Sequence, residues 1–348
     1  MNDSYRVTYH VESIDIPKAA EAIVIGQSVG NPNIRSSYET AAGIIQSMAE
    51  LISIDDNKVV IDFKWRNLHS LKDIGQMLCT INGGQSDIGL INVCRIVDIE
   101  LNQPFTKKTP TKKLNETRNR PLIGSIVKPK AGLTDAQLVD IVTQMCNGGI
   151  DFIKEDEILG DPAYLPLERR LELIQPIMEQ HPDTVYTYCV NGNPAHLIEQ
   201  LDLVKAYRGD GVHINFWSGL GAYADSNERN LFTHFQRSGI RAYTDPSNPF
   251  GIDWTVIVKL AIYQGIDSIH AGMIGGYYPG DHQEVRDAVS LCQKHNVWAA
   301  LSCGMTPDVA KNIRDEIGNQ WLANTGGWLH SGDNVESQIK TFIRELEA

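Results

Sequence analysis

From Pro121 to the C-terminus the sequence repeats one pattern: a short apolar run, then a longer stretch whose apolar residues recur at helical spacing. The strand-like runs are Gly124–Lys130, Phe152–Glu157, Thr184–Asn191, Gly211–Phe216, Ile240–Asp245, Asp267–Met273, Trp298–Gly304 and Trp321–Gly327. The helical stretches between them are Asp135–Asn147, Leu165–Glu179, Pro194–Tyr207, Asn227–Ser238, Ile252–Gln264, Gln283–His295 and Thr306–Ile317, and Val335–Leu346 closes the chain. Eight strands, each followed by a helix, over roughly 225 residues predict a (β/α)8 barrel of the TIM type. The rival is a doubly wound open sheet. That fold has fewer strands and often a GxGxxG turn, which this sequence lacks.

The first hundred residues follow a different order. Tyr5–Val11 alternates like a strand, and Pro17–Ile25 reads as a helix with proline in its first turn. Val59–Trp65 is a second strand, Leu68–Thr80 a second helix, and Gly89–Leu101 a long strand or a strand pair. Segregated helices and strands predict a small α+β, ferredoxin-like domain over residues 1–102, its sheet covered on one face. Gln103–Arg120 has no apolar periodicity and is rich in Lys, Thr, Pro and Asn, so it reads as a linker before a catalytic barrel over residues 121–348. Its cations (Lys107, Lys108, Lys112, Lys113, Arg118 and Arg120) are of a kind that meets anionic ligands, but such runs are mostly solvated surface.

Composition narrows the partners. Hydrophobic residues make up 42 %, enough for a sizeable core. Asp plus Glu number 43 against 31 Lys plus Arg, a net charge of −12 without a long basic run, which excludes ordinary nucleic-acid binding. No apolar run approaches the ~18 residues of a membrane span, and Met1-Asn2-Asp3-Ser4-Tyr5 does not open like a signal peptide. Six scattered cysteines form no CxxC and no zinc spacing. They read as reduced thiols, and the expected location is the cytoplasm.

In a barrel of this kind the chemistry sits at the C-terminal ends of the strands. The first strand ends in Lys128-Pro129-Lys130-Ala131-Gly132, and residues two apart point to the same side. The second ends in Lys154-Glu155-Asp156-Glu157. Charges gathered in a barrel mouth need partners or a metal. Asn191-Gly192-Asn193, Asn215, Tyr243-Thr244-Asp245 and His270-Ala271-Gly272 end the next four strands. A lone histidine is mostly structural, but His270 at a strand's C-terminal end is a better candidate than most. Ser302-Cys303-Gly304 and Thr325-Gly326-Gly327 end the last two. Glycines there free backbone N–H groups for an anion, and the loops after strands seven and eight frequently hold phosphate.

These residues resemble a known family. Gly124-Ser125-Ile126-Val127-Lys128-Pro129-Lys130-Ala131-Gly132-Leu133 and Gly148-Gly149-Ile150-Asp151-Phe152-Ile153-Lys154-Glu155-Asp156-Glu157 resemble the two signature strands of the RuBisCO large-chain superfamily. Arg120-Pro121-Leu122-Ile123-Gly124, Ser302-Cys303-Gly304 and Gly326-Gly327 fit as well, and Ser28-Val29-Gly30 fits more loosely. The resemblance implies that Lys154 takes up CO2 as a carbamate and, with Asp156 and Glu157, binds Mg2+. Three oxygen donors leave positions open on an octahedral ion for two substrate oxygens. The ion would polarise a carbonyl and stabilise an enediolate. Lys128 and Lys130 match lysines that move protons and orient substrate, and His270 matches the histidine ending strand six. Ser302, Gly304, Gly326 and Gly327 match a phosphate site, and Asn215 is added as a substrate contact. The resemblance also implies a homodimer in which one subunit's N-terminal domain caps the other's barrel.

Departures from the family point away from carboxylation. The lysine that holds CO2 on the loop after strand six is missing, and an ungapped count puts Tyr277 of Tyr277-Tyr278-Pro279-Gly280 there. The His-Arg pair that ends strand five and grips a second phosphate also reads as missing, with Tyr243, Thr244 and Asp245 in its place. An aspartate there opposes a phosphate by charge. Gly26, Asn31 and Pro32 stand near the positions of an N-terminal glutamate and a Thr-Trp pair. The chain is thereby identified as a RuBisCO-like (form IV) member. The implied activity is Mg2+-dependent enolisation of a monophosphorylated keto compound, as in the 2,3-diketo-5-methylthiopentyl-1-phosphate enolase of methionine salvage. The base stays open among Lys128, Lys130 and the Lys154 carbamate. The alternatives are a sugar-phosphate isomerase, a 3-keto-acid-phosphate decarboxylase, Schiff-base chemistry at Lys128 without metal, and a ligand-binding relative without turnover.

Overall fold

A computed structural model describes residues 3–30, 48–70, 72–102, 108–114, 117–277, 280–332 and 334–348. Asn31, Pro32, Lys107, Tyr278 and Pro279 lie outside the described residues. The chain forms two compact units, Met1–Phe105 with Gly239–Leu260, and Thr106–Ser238 with Ala261–Ala348.

The first unit is built on a four-stranded antiparallel sheet in the order β2-β3-β1-β4, from β1 (Ser4–Ser13), β2 (Ala49–Asp55), β3 (Lys58–Lys64) and β4 (Ile91–Glu100). Tyr5, Val7, Tyr9 and Val11 alternate along β1 and are buried, and Val7 lies opposite both Ile61 and Ile99. Among the described residues, helices α1 (Ile16–Gly26) and α2 (Ile74–Asn82) accompany this sheet, and the Tyr9 hydroxyl donates to the Ile81 carbonyl at 2.9 Å. Strand β2 escapes sequence reading because it is an edge strand with Leu51, Ile52 and Ile54 all exposed, so it carries no inside-outside alternation. The opposite edge, β4, is extended by residues 249–253. The Cys94 and Ile96 N–H groups donate to the Pro249 and Gly251 carbonyls at 2.8 and 3.1 Å. Arg95 fixes that segment by donating to the carbonyls of Asp245 and Asn248 and pairing with Asp253 at 2.8 Å.

The second unit is a closed eight-stranded parallel barrel, with neighbours in the order β10-β11-β12-β5-β6-β7-β8-β9. Its strands are β5 (Leu122–Ile126), β6 (Phe152–Lys154), β7 (Val185–Cys189), β8 (Gly211–Asn215), β9 (Phe232–Gln236), β10 (Ser268–Gly272), β11 (Trp298–Leu301) and β12 (Leu322–Thr325). Seven of them fall where the sequence pattern puts them. The fifth does not. The barrel's fifth strand is β9, inside the stretch expected to be a helix (Asn227–Ser238), whereas Ile240–Asp245, expected as the strand, contains the single-turn helix Arg241–Thr244. The physical reason is twofold. The preceding helix stops at Glu228, and Asn230 takes a left-handed φ of 58° that ends it. All five residues of β9 are buried, so the strand shows no alternation that separates it from a buried helix.

The barrel interior grades from apolar to charged. Leu114, Leu122, Phe152, Val185, Phe232, Ala300 and Leu322 form one buried cluster, with the Phe152 and Phe232 rings 5.9 Å apart. The His234 ring lies 5.4 Å from Phe152 and 5.9 Å from His213, and its Nδ1 is 2.7 Å from the Ser268 hydroxyl. Two residues further along their strands stand Lys154 on β6, Gln236 on β9 and His270 on β10. Phe152 and Lys154 share the inner face of β6, so the apolar cluster underlies the lysine. Phe152→Ala is expected to lower stability by about 3–5 kcal/mol in chemical denaturation. A loss below about 1 kcal/mol would contradict the role of this cluster.

Candidate active site

A cavity of about 440 Å³ opens at the C-terminal ends of the barrel strands. Lys128, Lys130, Lys154, Asp156, Glu157 and His270 line it, together with Ser302, Gly304, Gly326 and Gly327. Asn215 does not line it. Its side-chain oxygen accepts the Trp217 N–H at 3.0 Å and caps the turn after β8.

The strand end of β6 turns as it leaves the barrel, which brings Lys154, Asp156 and Glu157 together. Lys154 is buried, with its Nζ 3.4 Å from Glu157 and 3.4 Å from the Glu155 carbonyl. Burial pushes its pKa below the usual lysine value, and Glu157 and Asp156 only partly restore it. Burial raises Glu157, but Lys154, the Glu157 backbone N–H and His270 together hold the carboxylate below its ordinary range. Lys128 reaches across from β5 to Asp156 at 2.6 Å, while Lys130 is exposed at the rim. Asn191 secures the turn from the next strand by donating to the Glu157 carbonyl at 3.2 Å.

His270 is half-buried with its Nε2 shielded from solvent, and it is pushed down to about 3, first by desolvation, then by Arg237 and Lys154. Burial, with Lys154 adding, holds His213 and His234 well below the ordinary histidine range. All three imidazoles are neutral at physiological pH. They bind protons readily only when the chain unfolds, so stability due to them is present above about 6.5 and falls as pH drops.

The loop after β10 is strapped to the turn after β11. The Tyr277 N–H donates to the Cys303 carbonyl at 3.2 Å, and the Tyr277 ring lies on Gly304. A Cβ on Gly304, whose φ is +92°, would stand 2.8 Å from that ring, so only glycine fits. Among the described residues, the N–H groups of Gly304, Gly326 and Gly327 donate to no backbone carbonyl, which suits an anion cradle.

Arg237 is the residue that sequence reading missed. It follows directly on β9 and donates to the Ala271 carbonyl at 2.7 Å. The expectation that Tyr243, Thr244 and Asp245 replace a His-Arg pair at this strand end is therefore corrected: Gln236 and Arg237 stand there. The signal was available in Phe232-Thr233-His234-Phe235-Gln236-Arg237, but the misplaced strand hid it.

The donor set suits a divalent ion of oxygen preference. Among the described residues no three His, Cys, Asp or Glu side chains are arranged to hold a metal by themselves. Asp156 and Glu157 offer two carboxylates, and Lys154 beside them would be a third oxygen donor if its amine carried CO2.

The family model of the ribulose bisphosphate carboxylase large chain, catalytic domain, matches residues 108–307. An uncharacterized ribulose bisphosphate carboxylase-like protein of Bordetella bronchiseptica is 28 % identical over 328 residues, covering 84 % of this chain and 77 % of that one. A 3-oxo-isoapionate-4-phosphate decarboxylase of Rhizobium rhizogenes is 31 % identical over 212 residues, covering 56 % and 50 %. A 2,3-diketo-5-methylthiopentyl-1-phosphate enolase of Microcystis aeruginosa is 23 % identical over 355 residues, covering 96 % and 90 %. Among solved structures, octameric RuBisCO of Pyrococcus horikoshii OT3 superposes with a TM-score of 0.84 at 20 % identity, covering 99 % and 88 %. A rubisco-like protein from Burkholderia fungorum gives 0.82 at 19 %, covering 100 % and 94 %. The chain thus belongs to the RuBisCO large-chain family, and it stands with that family's RuBisCO-like, form IV, proteins. No helix among the described residues is long and apolar enough to cross a membrane.

The neutrality of His270 is open to direct measurement. Its 15N resonances are expected to stay at neutral-imidazole values from pH 8 down to pH 5, assigned by loss of signal in His270→Asn. A protonation midpoint above pH 5 would contradict the burial described.

Proposed function

We propose that the barrel mouth is the active site of a Mg2+-dependent, enolate-forming enzyme. Its substrate would be a monophosphorylated keto compound, with chemistry of the 2,3-diketo-5-methylthiopentyl-1-phosphate enolase type rather than CO2 fixation. The observation that carries the reading is Lys154, buried beside Glu157 with its pKa lowered by burial. A neutral amine has its lone pair free. It bonds to the carbon of CO2 and loses a proton, leaving an anionic carbamate next to Asp156 and Glu157. These three would hold Mg2+, which when bound polarises a substrate carbonyl and lowers the cost of removing the neighbouring proton.

The other residues have separable tasks. The free N–H groups of Gly304, Gly326 and Gly327, with Ser302, receive the phosphate. Lys128, fixed on Asp156 at 2.6 Å, orients the reacting end, and Lys130 at the rim reaches the substrate from the same strand end. Either lysine or the carbamate serves as base. Neutral His270 offers a hydrogen bond without charge. Tyr277 at the rim, in place of a lysine, supports the reading against carboxylation. The protein is further proposed to be a cytoplasmic homodimer, as the resemblance implies.

The second reading is decarboxylation of a 3-keto-acid phosphate on the same enolate chemistry. It is favoured by the 31 % identity to the Rhizobium rhizogenes decarboxylase. One experiment separates the two. The protein is incubated in D2O with Mg2+ and bicarbonate against monophosphorylated ketoses, diketones and 3-keto acids, with and without chelator. Chelator-sensitive deuterium incorporation beside a carbonyl, without CO2 release, is expected. CO2 release would move the assignment to the decarboxylase. Binding with neither would overturn enolate chemistry. Lys154→Ala is expected to stay folded and to lose at least about 100-fold of the exchange rate. Full activity in that variant would sink the carbamate.

A further inference from the structure

We propose that Glu155 and Arg170, on the outer side of the barrel wall, are positioning residues for the metal-binding turn that follows β6. The inference rests on the metal reading of this barrel mouth. Lys154 faces the barrel interior, so its neighbour Glu155 points the opposite way, towards the helix Leu167–Met178 that carries Arg170. Both side chains are fully buried.

Every oxygen of the Glu155 carboxylate has a directional partner. Oε2 pairs with the Arg170 guanidinium and accepts the Cys189 N–H at 2.6 Å, and Oε1 accepts the Tyr186 hydroxyl at 3.0 Å. The second guanidinium nitrogen of Arg170 donates to the Gly160 carbonyl. One rigid, planar cation therefore ties down the residue before Asp156 and a residue three beyond Glu157. Between those two anchors the turn closes on itself, with the Leu159 and Ile158 N–H groups donating to the Asp156 carbonyl and carboxylate at 3.1 and 3.3 Å. Asp156 and Glu157 are thus held at both ends from outside the barrel, while their carboxylates face its interior.

Stability alone is a poor reason for such a pair. A buried ion pair is commonly no more stabilising than apolar residues of the same volume. What apolar residues cannot supply is the fork of directional bonds that fixes where the turn sits. Groups that orient metal ligands without touching the metal typically govern affinity by about 10- to 100-fold.

The test is calorimetric titration of the full chain with Mg2+ in the presence and absence of bicarbonate, and separately with inorganic phosphate. The variants are Glu155→Gln and the double change Glu155→Met with Arg170→Met, which leaves no unpaired buried charge and so keeps a folded form available. Circular dichroism and the unfolding midpoint establish folding. The proposal expects bicarbonate-dependent Mg2+ affinity to fall by about 10- to 100-fold in each folded variant, with phosphate affinity within about twofold of the parent. Parental Mg2+ affinity in a folded variant overturns it. So does a parallel loss of Mg2+ and phosphate binding, which marks a general loosening of the barrel mouth. A parent protein without bicarbonate-dependent Mg2+ binding overturns the metal reading itself, and the positioning role with it.

Discussion

A lysine amine withdrawn from water at the top of a closed barrel is the constraint on which the rest of this site depends. An ammonium group is costly to bury, so burial drives Lys154 towards its neutral form, while Asp156 and Glu157 pull the other way. The balance lowers the Lys154 pKa below the usual lysine value beside two carboxylates, one of which, Asp156, is paired with Lys128. On the proposed reading the same arrangement would serve both a reaction with CO2 and the binding of a divalent ion, with Lys154 as carbamate, Asp156 and Glu157 supplying the oxygen donors.

That balance requires the barrel beneath it. The cluster around Phe152 and Phe232 keeps water out from below, and the neutral histidines above it contribute polarity without charge. Closure of the barrel places strands far apart in sequence side by side. Lys128, just after β5, thus meets the Asp156 carboxylate that follows β6, and the glycine turns after β11 and β12 line the same cavity. Glu155 and Arg170 complete the arrangement from outside, where the same strand end that faces the cavity is anchored to a helix.

Much of this is legible in the sequence, for identifiable reasons. Lys154-Glu155-Asp156-Glu157 alone reads as readily as a solvated tip, and it points to a candidate site only together with Lys128 and Lys130 at the preceding strand end. The glycine turns at Gly304 and Gly326-Gly327 are readable because glycine at such ends frees N–H groups. The parts that cannot be read lack a local signal. β2 has apolar residues on both faces at a sheet edge, and β9 is buried on both faces, so neither alternates. Losing β9 also loses Arg237, and it puts Asp245 at a strand end where it does not stand. Asn215 is drawn into the site by its position at a strand end, but its side chain is spent on capping. Arg170 gives no warning either, since one arginine in an amphipathic helix reads as surface until the fold shows it buried.

The most direct test of the central claim is 13C NMR of the protein with 13C-labelled bicarbonate and Mg2+. The account predicts one carbamate carbon per chain, retained in the presence of Mg2+ and absent from Lys154→Met. No carbamate signal at any pH, or a signal undiminished in Lys154→Met, would contradict it.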